Sequence, residues 1–121
     1  MKRFACAVLA LATVATSAFA FTGMGNPDRG RMLFNSRCAV CHGEDGRGRD
    51  GMAANLVDEW FRLTKSDQEL ARNIRSGFQT PGKIYGAGAM PPQLLDDRQM
   101  EDVLTYVRGA FGMSRQMNPW R

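Results

Sequence analysis

The chain has 121 residues, of which 44% are hydrophobic and 23% charged, and this length predicts one small domain whose core needs help from a metal, disulfide or cofactor. Its formal charge is +4, from 16 basic and 12 acidic residues, and removal of Lys2 and Arg3 with a predicted leader leaves +2. So small an excess is poor evidence for nucleic-acid binding, and no nucleic-acid partner is expected.

Residues 1–20 have the pattern of a secretory signal peptide. Lys2 and Arg3 form a positive start, an apolar run covers residues 5–15, and Ala18-Phe19-Ala20 fits a cleavage site. The alternative, an uncleaved membrane anchor, is disfavoured because the apolar run is too short to span a bilayer comfortably. We therefore expect export to the periplasm, with no stable membrane anchor on the mature protein.

Two cysteines, Cys38 and Cys41, remain after the leader is removed, because Cys6 lies inside it. The mature chain is predicted to form one domain over residues 21–112, followed by a C-terminal tail over residues 113–121. We expect the product to be soluble and monomeric.

The first predicted helix begins at Asn26-Pro27-Asp28, where Asn caps free amides, Pro fits the first turn and Asp complements the helix dipole. It is expected to run to about Arg37 and to deliver the next motif at its end.

That motif, Cys38-Ala39-Val40-Cys41-His42, is the attachment signature of covalent c-type haem. Two thiols about one helical turn apart can each add to a haem vinyl group, and the adjacent imidazole then lies under the iron. The sequence thus predicts one haem c, with thioether bonds to Cys38 and Cys41 and with His42 as the proximal iron ligand. A redox dithiol or half of a zinc site are the alternatives, but the first favours a βαβ context and the second needs further ligands.

Glycine-rich residues 43–51 predict a surface loop. Within it, Gly46-Arg47-Gly48-Arg49-Asp50-Gly51 matches the dinucleotide fingerprint, which we discount because no strand precedes it. A short helix is predicted over residues 56–63, with Trp60 and Phe61 as its core contacts.

Two longer helices are predicted in the second half. Ser66 to Glu69 form a capping box for a helix over residues 67–76 that ends at Gly77. Residues 78–95 are expected to be a long ordered loop. The last helix has Asp96 as its cap and ends at Gly112; Gln99 completes its capping box, and its apolar stripe is Met100, Val103, Leu104, Val107, Ala110 and Phe111.

A haem iron also needs a second axial donor, and the chain has no second histidine. The mature region offers seven methionines: Met24, Met32, Met52, Met90, Met100, Met113 and Met117. Met32 and Met100 are predicted core residues of the first and last helices, and three others lie near the ends. Met52 follows His42 by only ten positions, whereas Met90 lies in Gly88-Ala89-Met90-Pro91-Pro92, where small residues allow close approach. Met90 is the predicted distal ligand; Met52, or a vacant or labile position, remains the alternative.

The chain resembles the small class I, single-haem bacterial and algal cytochromes c. The resemblance depends on Cys38 to Gly43, on the Met90 motif and on the closing Asp102-Val103-Leu104-Thr105-Tyr106-Val107. It implies an all-α fold of three to five helices around one covalent haem, with crossing N- and C-terminal helices. Met90 would be the distal ligand, and there would be no catalysis at the iron.

The family also places a glycine and an aromatic residue on its first helix against an aliphatic and an aromatic residue on its last. Gly30, Phe34, Leu104 and Tyr106 stand at the matching positions. One departure is that residues 51–56 contain no proline. Relatives usually have a proline in this loop, and the carbonyl next to it accepts the imidazole proton. Some other carbonyl must accept it.

The resemblance implies a periplasmic electron carrier that meets redox protein partners transiently. The alternative is the haem subunit of a larger periplasmic oxidoreductase, such as a dehydrogenase complex. A third class, an enzyme or gas sensor, would require an open iron.

Overall fold

The computed structural model describes residues 21–22, 24–49, 51–82 and 88–112, and its secondary structure there is helical. The helices are α1 (Pro27–Arg37), α2 (Ala39–His42), a 3₁₀ helix (Trp60–Thr64), α3 (Asp67–Ser76) and α4 (Asp97–Phe111). Over the described ranges the only β pairing is an isolated bridge between Phe78 and Met90. The predicted all-α class is confirmed, whereas the leader and the C-terminal tail lie outside the described residues.

Helix α1 begins as predicted, with the Asn26 side chain accepting a hydrogen bond from the backbone N–H of Arg29. It ends at Arg37 as predicted and delivers the cysteine motif at its end, where Ala39–His42 form the separate turn α2. The backbone N–H of Cys38 donates to the carbonyl of Phe34 at 2.8 Å. The motif is therefore hydrogen-bonded to the last turn of α1.

Helices α1 and α4 pack with their backbones in close approach at Gly30. A Cβ atom at this position would lie 2.0 Å from the carbonyl oxygen of Asp102 and 2.8 Å from the Cβ of Tyr106. The Phe34 ring fills the space beside the contact, with its centroid 5.6 Å from that of Tyr106 and 5.4 Å from that of Phe111. The close contact between the first and last helices is confirmed.

An ion pair between the buried carboxylate of Asp102 and the half-exposed side chain of Arg29 lies beside this contact. Asp102, only 2% exposed, accepts from Arg29 Nε at 2.7 Å, from Arg29 Nη2 at 3.0 Å and from the backbone N–H of Asn26 at 2.6 Å. The hydrogen bonds from Arg29 lower the pKa of Asp102 despite its burial, and the Asn26 amide contributes in the same direction. The carboxylate thus joins the start of α1 to the middle of α4.

Helix α4 supplies most of the core. Asp96 and Gln99 form the predicted capping box, and the completely buried Met100 follows directly. The other buried apolar residues of α4 are Val103, Leu104, Val107 and Phe111. Helix α3 has its predicted bounds, but only half of its predicted capping box forms, because the carboxylate of Glu69 pairs with Lys65.

Two core expectations were wrong. The predicted short helix is a 3₁₀ helix in which Leu63 is buried, Trp60 is half-buried and Phe61 is 56% exposed. With three residues per turn, residues 60 and 63 share a face and residue 61 points away from it. Met32 is 65% exposed, because it lies on the side of α1 opposite Gly30 and Phe34.

Candidate haem site

A cavity of about 280 Å³ lies within the helices. Most of its wall is apolar, formed by residues from α1, the 3₁₀ helix, α3 and α4, namely Phe34, Leu63, Leu70, Ile74, Leu104 and Val107. The four predicted site residues, Cys38, Cys41, His42 and Met90, all line this same cavity. The fold thus brings two thiols, an imidazole and a thioether together around one mostly apolar cavity.

His42 is the last residue of α2, and the chain turns sharply after it at Gly43, which has a φ of +74°. The loop then turns back, with the backbone N–H of Gly48 donating to the carbonyl of His42 at 2.7 Å and that of Arg49 donating to Cys41 at 2.8 Å. The Phe34 ring packs nearby, with its centroid 6.4 Å from that of the imidazole. His42 is therefore held from both α1 and the loop that follows it.

The carbonyl oxygen of Ala54 lies 3.1 Å from His42 Nδ1. An imidazole that donates from Nδ1 keeps the lone pair of Nε2 for a metal, and the hydrogen bond raises its basicity as a ligand. Burial lowers the pKa of His42, with the Ala54 contact acting in the opposite direction, so the ring is favoured in its neutral, ligating form. The sequence required such a carbonyl but could not name it, since no proline marks Ala54.

The loop that follows His42 contains the glycine motif that resembles a dinucleotide fingerprint. Gly46 and Gly48 have φ values of +73° and +79°, and the carbonyl of Gly46 accepts from the backbone N–H of Leu56 at 2.7 Å. A Cβ at Gly48 would lie 2.7 Å from the carbonyl oxygen of Ala53. These glycines therefore allow the loop to fold tightly enough to bring Ala54 against the imidazole.

The two thiols do not have the properties of a redox pair. Cys38 and Cys41 are both partly buried, and burial raises the pKa of the Cys38 thiol to about 11. Reactive dithiol enzymes instead lower the pKa of the attacking cysteine. In the part of the chain that the structure describes, no group of three or more His, Cys, Asp or Glu side chains could hold a metal ion.

Two methionines line the cavity, Met90 and Met52. Met90 lies in a segment bonded to Phe78, the second residue after the end of α3: its backbone N–H donates to the carbonyl of Phe78 at 2.8 Å, and its carbonyl accepts from the N–H of Phe78 at 3.0 Å. Met52 belongs to the loop that leaves His42, where its N–H donates to Arg49. Of the other described methionines, Met24 and Met32 are exposed and Met100 is in the core. Among the described residues, two side chains therefore remain as candidates for the distal donor.

Basic side chains complete the wall. Arg37, Arg62 and Lys65 reach the cavity, and Arg62 is also paired with Glu59 and bonded to Thr80 Oγ1 at 3.3 Å. An apolar macrocycle with two carboxylates requires this combination of hydrocarbon and cations. The residues present therefore fit a haem.

A helical domain whose cavity carries two neighbouring thiols, an imidazole and a thioether defines the class of covalent haem proteins that carry electrons. The chain belongs to the cytochrome c family, whose family model matches residues 27–110. This confirms the small single-haem class I resemblance, and with it one covalently bound haem c and an electron-carrier domain.

Among the similar proteins is a cytochrome c-553-like protein of Synechocystis, 32% identical over 84 residues, a region that covers 69% of each chain. The subunit CcoP of a cbb3-type cytochrome c oxidase from Helicobacter pylori is 32% identical over 93 residues, which are 76% of this chain and 30% of that protein. The cytochrome c subunit of a quinone-type alcohol dehydrogenase from Gluconobacter oxydans is 31% identical over 94 residues, covering 74% of this chain and 19% of the subunit. The chain thus spans less than a third of the length of the two complex subunits.

Within the described residues, no helix has the length and apolar character needed to cross a bilayer.

Proposed function

We propose that this protein is a soluble periplasmic carrier of single electrons, with its haem bonded to Cys38 and Cys41 and its iron between His42 and Met90. The observation that carries the proposal is that all four side chains line one cavity. The match to a cytochrome c-553-like protein, which covers 69% of each chain, supports the proposal of a small single-domain carrier.

The chain's own groups define what such a site does. When bound, the haem supplies an iron that accepts or releases one electron. His42 offers a neutral imidazole oriented by Ala54, and Met90 offers a thioether, which favours the reduced state and so raises the potential. If His42 and Met90 both held the iron, no position would be left on the metal for a substrate, which would suit electron exchange rather than catalysis.

A pair of matched variants tests the distal ligand. In the ferric protein, Met90→Leu should abolish the weak far-red band of a thioether–iron bond and lower the midpoint potential. Met52→Leu changes the other methionine that lines the cavity and should leave both unchanged. Loss of the band in Met52→Leu, or its retention in Met90→Leu, would overturn the assignment.

Acid–acetone extraction, followed by a pyridine haemochrome spectrum of the protein, tests the thioether bonds. Wild-type protein should retain its colour after acid–acetone extraction, whereas Cys38→Ser with Cys41→Ser should release all of it. Extraction of haem from the wild type would contradict attachment at these cysteines.

The second candidate function, a haem subunit of a larger oxidoreductase, is favoured by the similarity to the oxidase and dehydrogenase subunits. Docking of a free carrier should be brief and use a small interface, whereas a subunit remains bound. Size-exclusion of native periplasmic extract separates the two: the carrier elutes at the size of the monomer, and the subunit elutes with its catalytic partner.

A further inference from the structure

The segment that holds Met90 is bonded to the end of α3 through its backbone. Phe78 and Met90 exchange two hydrogen bonds, at 3.0 and 2.8 Å, and the N–H of Gln93 donates to the carbonyl of Ile74 at 2.8 Å. Both peptide groups that flank the Met90 side chain are therefore engaged. The position of the Met90 backbone, from which the thioether side chain extends, is therefore set by α3 as well as by the loop.

Gly77 lies at the centre of this contact. It is the C-cap residue of α3, with a φ of +79°, and a Cβ atom there would lie 2.7 Å from the carbonyl oxygen of Met90. The same atom would lie 3.1 Å from Cδ and 3.2 Å from N of Pro92. These neighbours are backbone and a proline ring, which cannot rotate aside as a long side chain would.

We propose that Gly77 is a positioning residue for the distal ligand: with no side chain at this position, the Met90 backbone closes against α3, and this closure keeps the thioether on the iron. The proposal rests on the proposed function, since it takes Met90 as the ligand. It adds that occupancy of the sixth coordination position depends on a residue that does not line the cavity.

Competition with an added ligand makes this dependence measurable. Imidazole binds ferric iron only where the thioether has left, so its apparent affinity rises in proportion to the fraction of molecules with Met90 dissociated. A side chain at position 77 that separates Met90 from α3 should increase that fraction. The far-red band reports the bound state directly.

The test compares Gly77→Ala with Gly82→Ala in the ferric holoprotein. Gly82 has a φ of +73°, similar to that of Gly77, but a Cβ there would have no atom of the described residues within 4 Å. Both variants therefore place alanine in the left-handed region, and only one obstructs Met90. We expect Gly77→Ala to bind imidazole about tenfold more tightly than the wild type, equivalent to about 1.4 kcal/mol, and Gly82→Ala to stay within about twofold. Equal affinities in the two variants would overturn the proposal.

A second measurement needs no variant and decides the matter if Gly77→Ala fails to fold. Amide hydrogen exchange at Phe78 and Met90 is measured in wild-type protein with and without saturating imidazole. Because linkage is reciprocal, displacing the thioether should speed exchange of both amides by about tenfold. Unchanged protection would show that closure and ligation are independent, which overturns the positioning role.

Failure of the underlying function has a different signature. If Met90→Leu keeps the far-red band and the wild-type imidazole affinity, Met90 is not the ligand and the site assignment itself falls. If Met90→Leu loses the band while Gly77→Ala behaves as the wild type, the ligand assignment stands and only the role of Gly77 is lost.

Discussion

Replacing Gly30 by alanine should destabilise the protein, whereas the same replacement at Gly109 should stabilise it. Both glycines lie inside helices, α1 and α4, where alanine is preferred over glycine by about 1 kcal/mol. They differ in surroundings: among the described residues, a Cβ at Gly109 would have no atom within 4 Å, whereas one at Gly30 would meet the backbone of α4. The pair thus separates helix propensity from packing.

The magnitude follows from the contact distances. A Cβ at position 30 would lie 2.0 Å from the carbonyl oxygen of Asp102, so α1 and α4 must move apart by about 1 Å before the contact becomes tolerable. Overpacking against an atom that cannot rotate away costs about 3 kcal/mol, the upper part of the usual range. Subtracting the propensity gain leaves a net loss of about 2 kcal/mol for Gly30→Ala, against a gain of up to about 1 kcal/mol for Gly109→Ala.

Guanidinium unfolding of the ferric holoprotein, followed by far-UV circular dichroism and by the haem band, measures both changes. The midpoint should fall for Gly30→Ala and rise for Gly109→Ala, with m values equal to that of the wild type. A Gly30→Ala protein as stable as the wild type, with its haem spectrum intact, would refute the argument from close helix contact.

Two further predictions concern charge and the proximal ligand. Because Arg29 lowers the pKa of Asp102, the carboxylate stabilises the folded state above its unfolded pKa, and this stability is lost as the pH falls through the lower folded pKa. The free energy of unfolding should therefore decline below about pH 4, and it should decline less in Asp102→Asn. Denaturant titration at several pH values measures both. Gly48→Ala should push the carbonyl segment at residues 53–54 away from the imidazole, weaken that hydrogen bond and raise the midpoint potential, measured by redox titration.

Each of these has a matched control. Asp28→Asn removes an exposed carboxylate and tests for a general effect of net charge; an acid dependence for Asp102→Asn as steep as that of the wild type would contradict the role of the ion pair. Gly51 has a φ of +70°, and a Cβ there would meet no atom of the described residues within 4 Å, so Gly51→Ala should leave the potential unchanged. A potential that shifts equally in Gly48→Ala and Gly51→Ala would point to general loop strain instead.

The helix boundaries were predictable because local chemistry determines them. Asn26, Ser66 and Asp96 each accept a hydrogen bond from a backbone amide three residues later, and a side-chain oxygen at that spacing is visible in the sequence. The apolar stripe of α4 was equally visible, since its buried residues recur with helical spacing. Cys38, Cys41, His42 and Met90 were chosen from the spacing of one motif and from a methionine followed by two prolines; all four line one cavity, and their roles toward the haem stay predictions.

Other features depend on distant parts of the chain and left no such local signal. Ala54 acts through its carbonyl, which every residue has, so only the folded loop distinguishes it. The outward position of Phe61 follows from 3₁₀ rather than α geometry, which hydrophobicity alone does not report. Met52 reaches the cavity from the loop after His42, in which Gly46 lies against the ring of the distant Phe111.

The Phe34 ring packs near Tyr106 and Phe111 of α4 and also near the imidazole of His42. One side chain therefore belongs both to the contact between the first and last helices and to the surroundings of His42. A substitution that shifts the two ends of the domain relative to each other is expected to reach the imidazole through this ring.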